Sequence, residues 1–170
     1  MSSAGWSAPE ALAHVDRLYN LGRRLTGNDA DAEELVQETY VRALAGARSF
    51  GGGNLKAWLF KILRNTFVDL RRRVRAAPAS EDLADVAAGD DAPLLRDDLE
   101  LERLRRLVGE EIEAALASLS DEARTIVLLD VEGFSESEVA DVLGCPVGTV
   151  KSRLSRARRS LRQKLKDYAR

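Results

Sequence analysis

The sequence predicts an all-α protein made of two small helical domains joined by a flexible acidic linker. Three observations predict it. Ala, Leu, Arg and Glu dominate while β-branched residues are few. Apolar residues recur at steps of three and four through most of the chain. That period lapses between residues 76 and 96, where Pro78, Gly89 and Pro93 mix with Glu81, Asp82, Asp85, Asp90 and Asp91. The boundaries are therefore 9–75 for the first helical domain, 76–96 for the linker and 97–170 for the second domain.

Bulk properties exclude several classes. The net charge of the 170 residues is -2, so nucleic-acid binding must come from local basic patches. A single Cys forbids an internal disulfide, and one His with one Cys argues against a protein-only zinc site. No cofactor is expected. No apolar run reaches membrane-spanning length and the N-terminus lacks a secretory core, so a cytoplasmic protein without membrane insertion is expected. Paired catalytic carboxylates and nucleophile–base sets are missing, which argues against an enzyme.

Met1 to Ala8 reads as a small, polar, frayed end. From Pro9 one helix is predicted, with Leu12, Val15, Leu18, Tyr19, Leu21 and Leu25 on its apolar face. His14 lies among them as a partly buried structural side chain. Gly27 suits a helix end, and Asn28 or Asp29 suits the next helix start. In DAEELVQETYVRALA, Leu35, Val36, Tyr40, Val41 and Leu44 are predicted to face inward. Asp31, Glu34, Gln37, Glu38 and Arg42 are left on an outer, mostly acidic face, for which simple solvation is also a sufficient explanation.

Ser49 to Asn54 carries three consecutive glycines and reads as a loop. It lacks the Lys-Ser or Lys-Thr of a phosphate loop. The following stretch, LKAWLFKILRNTFVDLRRRVR, has a wide apolar stripe of Trp58, Leu59, Ile62, Leu63, Thr66, Phe67 and Leu70. Trp58 reads as core rather than as a DNA-stacking ring. Arg71, Arg72, Arg73 and Arg75 crowd the end of this helix. The helix dipole accounts for some of that charge, and phosphate contact for the rest.

Beyond the linker, Leu99, Leu101, Leu104, Leu107, Val108, Ile112, Ala115 and Leu116 predict another helix. Ser120 caps a helix carrying the apolar run Ile126 to Val131, and Gly133 ends it. Ser135 and Glu138 form a capping box for a short helix. Gly144 ends that helix and Pro146 prevents its continuation. Val150, Leu154, Ala157, Leu161 and Leu165 then line one face of a basic helix. A short helix, a tight turn and a basic helix form the helix-turn-helix pattern. A solvated basic hairpin shows the same period, but the Gly-Cys-Pro-Val-Gly turn makes a plain bundle corner less natural. Cys145 in this turn has no contiguous basic neighbour, which argues against a redox-sensing thiol.

Two blocks carry a family resemblance. DAEELVQETYVRAL with the loop and LKAWLFKILRNTFVDLRRR resembles region 2 of the bacterial RNA polymerase sigma factors of the extracytoplasmic-function (ECF) type, in the sigma-70 family. LSDEARTIVLLDVEGFSESEVADVLGCPVGTVKSRLSRARRSLRQKL resembles their region 4. With the connector between them they span nearly all of the chain.

The resemblance implies a factor that binds core RNA polymerase and directs promoter-specific initiation. Its partners would be core polymerase, through the β′ clamp coiled coil and the β flap, promoter DNA, and an anti-sigma factor. Asp31, Glu34, Gln37 and Glu38 match the surface that docks on the β′ coiled coil. The Gly loop through Asn54, with the following helix, matches the reader of the promoter −10 element, which captures a flipped base. Asn65 matches a position near this DNA, and Lys61, Arg64, Arg71 and Arg72 would hold phosphates. The second helix of the helix-turn-helix would read the −35 duplex. Thr149, Lys151, Ser152, Ser155 and Arg156 lie nearest base edges, while Arg153, Arg158, Arg159 and Arg162 suit phosphates. The connector would run through the polymerase or serve as a plain tether. The closed and polymerase-bound arrangements of the two domains should differ. A stand-alone regulator leaves the first block unexplained, and a sigma mimic has no use for a basic recognition helix. No regulatory domain beyond Arg170 is expected.

Overall fold

The structure, a computed structural model, describes residues 5–76 and 96–166. The regular structure of the described residues is all helical: α1 Ala8–Leu12, α2 Val15–Thr26, α3 Asp29–Ala45, α4 Leu55–Ala76, α5 Arg96–Ala117, α6 Asp121–Val131, α7 Glu136–Leu143 and α8 Val147–Lys164. A 3-10 turn, Ala47–Ser49, follows α3. Of the expected acidic linker, 76–96, residues 77–95 lie outside the described residues, and Ala76 and Arg96 are the end of α4 and the start of α5.

Local chemistry sets most boundaries. Gly27 takes a left-handed φ of 89° at the end of α2. Asn28 then accepts from the Asp31 backbone N–H to start α3. Asn54 does the same for α4 through the Ala57 N–H, 3.0 Å away. Ser120 caps α6, and Ser135 with Glu138 closes the expected capping box on α7. Gly144 at φ 64° ends α7, and Pro146 stands at the N-cap of α8.

α2, α3 and α4 pack around Leu18, Leu21, Leu35, Leu59, Leu63 and Phe67. α6, α7 and α8 pack around Ile126, Leu129, Val139, Val142, Val150 and Leu154. Three threonines are buried, and each donates its hydroxyl to the carbonyl four residues back: Thr39 to Leu35, Thr66 to Ile62 and Thr125 to Asp121. Their polar atoms therefore need no partner from another helix.

Three sequence expectations change: the single helix from Pro9, the frayed N-terminal stretch and the inward side of α3. The helix expected from Pro9 is two helices, broken at Ala13 and His14, and Leu12 is exposed. His14 occupies the N-cap position of α2, and burial followed by the charges of Arg17 and Lys56 pushes its pKa down. Trp6, in the stretch expected to be frayed, is buried, and Ser7 caps α1. Val41 and Leu44 face out, and Ala32, Thr39 and Ala43 take the inner positions. Val131 is exposed at the end of α6, and on α5 Leu107, Val108 and Ile112 are exposed while Ala115 and Leu116 are buried. A stripe of apolar residues at helical spacing marks one face but does not say that a neighbour covers it.

The turn between α7 and α8 gives a paired test. Gly144→Ala puts a Cβ on a left-handed backbone and should lower stability by about 1 kcal/mol. Gly148 lies inside α8 with open space around it, so Gly148→Ala should be neutral or stabilising by up to about 1 kcal/mol. Urea unfolding of both variants checks the difference.

Candidate nucleic-acid and polymerase interface

α8 is anchored by Val150, Leu154 and Ala157, all buried. Arg153 and Arg158 flank this stripe on its two sides. Arg153 reaches Glu122 near the start of α6 at 2.7 Å, and Arg158 reaches Asp130 near its end at 2.6 Å. These two arginines hold α8 across α6, and any DNA contact they make must compete with that pairing. Lys151, Ser152, Ser155, Arg156 and Arg159 are exposed on the remaining surface, and Thr149 is half-buried. Lys151 lies 3.5 Å from Glu136 on α7. Arg156 donates through Nε to the Ser152 carbonyl, and the Ser152 hydroxyl donates to the Thr149 carbonyl. The first two turns of α8 thus present one ammonium, one guanidinium and two hydroxyls together.

On α4, Lys61, Asn65 and Arg72 share one face by their spacing and are exposed. Arg64 is half-buried beside them and donates to the Asn65 side-chain oxygen at 3.2 Å. Asn54 and Arg71 stand apart from this group. The Asn54 amide donates to Glu138 of α7 at 2.8 Å, and Arg71 pairs with Asp121 at 3.3 Å. The loop before α4 bends at Gly52 and Gly53, with φ of 86° and 99°. Trp58 is half-buried with the Phe50 ring 5.2 Å away.

On α3, Asp31, Glu34 and Gln37 are exposed, and Glu38 is half-buried against Arg42 at 2.8 Å. Arg42 also pairs with Asp69 of α4 at 2.7 Å, which ties α3 to α4. Hydrogen bonding to Arg42 holds the Asp69 carboxyl below its usual range. Val41 and Leu44 continue the face begun by Glu34 and Gln37, so this face is acidic at one end and apolar at the other.

The two helical groups meet where α4 packs on α7. The Phe60 and Phe134 ring centroids are 5.0 Å apart. The Lys56 ammonium donates to the Glu132 carbonyl at 2.8 Å and sits 4.3 Å from the Phe134 ring centre. Arg124 of α6 donates to the carbonyls of Leu116, Ala117 and Leu119, and also to that of Leu25 at the end of α2. None of these junction residues stood out in the sequence. Among the described residues no cluster of His, Cys, Asp and Glu suits a metal ion. No described helix is long and apolar enough to cross a membrane.

The Sigma-70 region 2 family matches residues 11–77, and the Sigma-70 region 4 family matches residues 109–161. The ECF RNA polymerase sigma factor EcfG of Rhodopseudomonas palustris is 43% identical over 89% of this chain and 81% of its own length. The chain belongs to the ECF sigma factors. ECF sigma factors direct transcription initiation and are not enzymes. The ECF sigma factor SigE of Mycolicibacterium smegmatis is 39% identical over 92% of this chain, which spans 60% of that relative's length. Among solved structures, the sigma factor RpoE in complex with the anti-sigma factor NepR, from Bartonella quintana, superposes with a TM-score of 0.68. Its sequence identity is 35%, over 93% of this chain and 95% of that one. In this sigma factor α2 to α4 fall within region 2, and α6, α7 and most of α8 within region 4.

Glu138 links the α7 cap to region 2 and gives a pH test. Hydrogen bonds from the Ser135 backbone and hydroxyl, then from Asn54, with the Lys56 charge, hold its carboxyl below the usual range. A depressed folded-state pKa stabilises above the unfolded value and is lost as pH falls through the folded value. The stability gap between the natural protein and Glu138→Ala should therefore be full at neutral pH and close as the pH falls below about 4. Urea melts of both proteins between pH 3 and 7 measure it.

Proposed function

We propose that this sigma factor binds core RNA polymerase through the exposed face of α3, reads the promoter −10 element with the Gly loop and α4, and reads the −35 element with α8. The carrying observation is the start of α8, where Lys151, Ser152, Ser155 and Arg156 lie on the surface opposite a buried apolar stripe. A helix presented this way, with its partner helix held behind it, suits the major groove. Arg and Lys then favour guanine O6 and N7, and the hydroxyls serve several bases. Thr149 flanks that surface, and Arg159 and Arg162 follow toward the phosphates.

On α4, Lys61, Arg64, Asn65 and Arg72 form the contiguous DNA side. Asn65 offers donor and acceptor to a base edge, and the cations hold phosphates. On α3, Asp31, Glu34, Gln37 and Glu38 offer charge complementarity to a basic β′ coiled coil. Val41 and Leu44 add apolar area to the same face. The second polymerase contact, on the β flap, falls to region 4. The likeness to RpoE, solved with NepR, supports an anti-sigma factor as a further partner. The site of action is the cytoplasm.

The arrangement with α4 on α7 is a closed one. Asn54 and Arg71, both on the −10 side, are held by Glu138 and Asp121 of region 4. Polymerase binding must separate the two groups before these side chains meet DNA.

Run-off transcription with purified core polymerase on a promoter library tests the whole reading. The protein should yield promoter-selective transcripts. Lys151→Ala or Arg156→Ala should cut them about tenfold and relax −35 selectivity, with core binding retained. No stimulation together with no core binding overturns it.

A further inference from the structure

The residues before the region 2 match, which begins at residue 11, are built into the fold. Trp6 is only 7% exposed. Its ring lies 6.2 Å from Trp58, and Trp58 lies 5.2 Å from Phe50. Phe50 is the first residue after the 3-10 turn and opens the Gly loop. Gly5 runs beside the same ring, since a Cβ placed there would sit 3.5 Å from Phe50 Cδ1. The aromatic chain therefore runs from the N-terminal segment, through α4, to the foot of the loop.

The segment is held at both ends of α1. Ser7 and Glu10 form a reciprocal capping box, with Ser7 N–H and hydroxyl both 2.7 Å from the Glu10 carboxylate. The Tyr40 hydroxyl of α3 donates to the Ala11 carbonyl at 2.8 Å. Gly51, Gly52 and Gly53 have nothing within 4 Å of where a Cβ would be. The three glycines thus have open space where side chains would be, and the loop is fixed at its two feet, by Phe50 on one side and by the bonds of Asn54 on the other.

We infer that Trp6 is a positioning residue for −10 recognition: it presses on Trp58 and, through it, fixes Phe50 and the entry of the Gly loop. The inference rests on the loop being the −10 reader. Trp6 acts through its ring alone. Its buried indole N–H has no hydrogen-bond partner among the described residues, so this N–H contributes nothing that a phenyl ring would lack. Aromatic pairs at these separations hold orientation as well as area. A loop of three glycines has high conformational freedom, and fixing its entry lowers the entropy lost when it closes on a base.

The test is run-off transcription with core polymerase on templates differing at single −10 or −35 positions, using the full chain. Trp6→Ala should lower discrimination among −10 bases roughly fivefold, a part of what one mismatch costs. It should leave −35 discrimination and core affinity unchanged. Trp6→Phe should restore −10 discrimination to within about twofold, as expected when the ring and not the N–H acts. Tyr40→Phe loosens α1 without emptying the core, and it should move −10 discrimination in the same direction by less. This variant keeps the test decisive if Trp6→Ala does not fold. Unchanged −10 discrimination in both Trp6→Ala and Tyr40→Phe overturns the inference, as does a Trp6→Phe variant as defective as Trp6→Ala. The double variant Gly52→Ala with Gly53→Ala separates the two readings. If it lowers −10 discrimination while the Trp6 variants do not, only the role of Trp6 falls. If it leaves −10 discrimination intact, the assignment of the loop falls and the inference with it.

Discussion

The Lys56 ammonium sits at the point where everything else meets. It belongs to the first turn of α4, and it donates to the Glu132 carbonyl at the end of α6. Phe134 lies beneath it at cation–π distance, and Phe134 packs on Phe60 of α4. Desolvation and the charge of Arg17 lower its pKa, while Glu132 and Glu138 oppose that shift. A cation at a helix C-terminus, over an aromatic face, is a favourable way to hold a half-buried charge. The same few atoms orient the start of α4, the turn into α7 and hence the helix-turn-helix. Arg124 makes a parallel joint on the other side by gathering carbonyls from α2, the end of α5 and the turn after it.

Charge is divided along α8 by position relative to the buried stripe. The arginines on its flanks, Arg153 and Arg158, answer carboxylates on α6. Those on the far face have the solvent side to themselves. One basic helix thus carries two kinds of arginine, and composition alone cannot separate them. Exposed ion pairs contribute roughly 0–1 kcal/mol each, so the flanking pairs matter more for setting the rotation of α8 than for its stability. Rotation decides which side chains enter a groove.

The helical class, the helix-turn-helix and its caps were legible because their signals are local. Ser135, Glu138, Gly144 and Pro146 act within one turn of chain, and the structure uses each as the spacing implies. The errors lie where a neighbour decides. Val41 and Leu44 have the right spacing to be buried, yet the core of α3 is filled by Ala32, Leu35, Val36, Thr39 and Ala43. Small residues on the inner face let α2 and α4 come close, and that leaves the larger ones outside. Trp6 was obscured by the small residues around it, although Ser7-Ala8-Pro9-Glu10 is a readable capping box. The candidate site was legible as residue types and spacing. The withdrawal of Asn54 and Arg71 toward region 4 was not, because Glu138 and Asp121 are distant in sequence and meet them only through tertiary packing.

That withdrawal sets the energetics of opening. Two of the polar links, Asn54–Glu138 and Arg71–Asp121, are exposed and individually weak, while the Lys56–Glu132 and Arg124–Leu25 hydrogen bonds are partly buried. The apolar packing of α4 on α7, with Phe60 against Phe134 in it, is the part whose separation returns buried area to water. A partner that binds only a separated arrangement shifts the population toward it by its differential affinity. Arg71 cannot hold Asp121 and a phosphate at once, so under the proposed −10 role of Arg71 the two pairings compete for a single guanidinium. Salt weakens both pairings. The cost of releasing Asp121 therefore falls as the gain from the phosphate falls, so on that proposal the salt dependence of promoter engagement from the closed arrangement is shallower than its count of phosphate contacts alone implies.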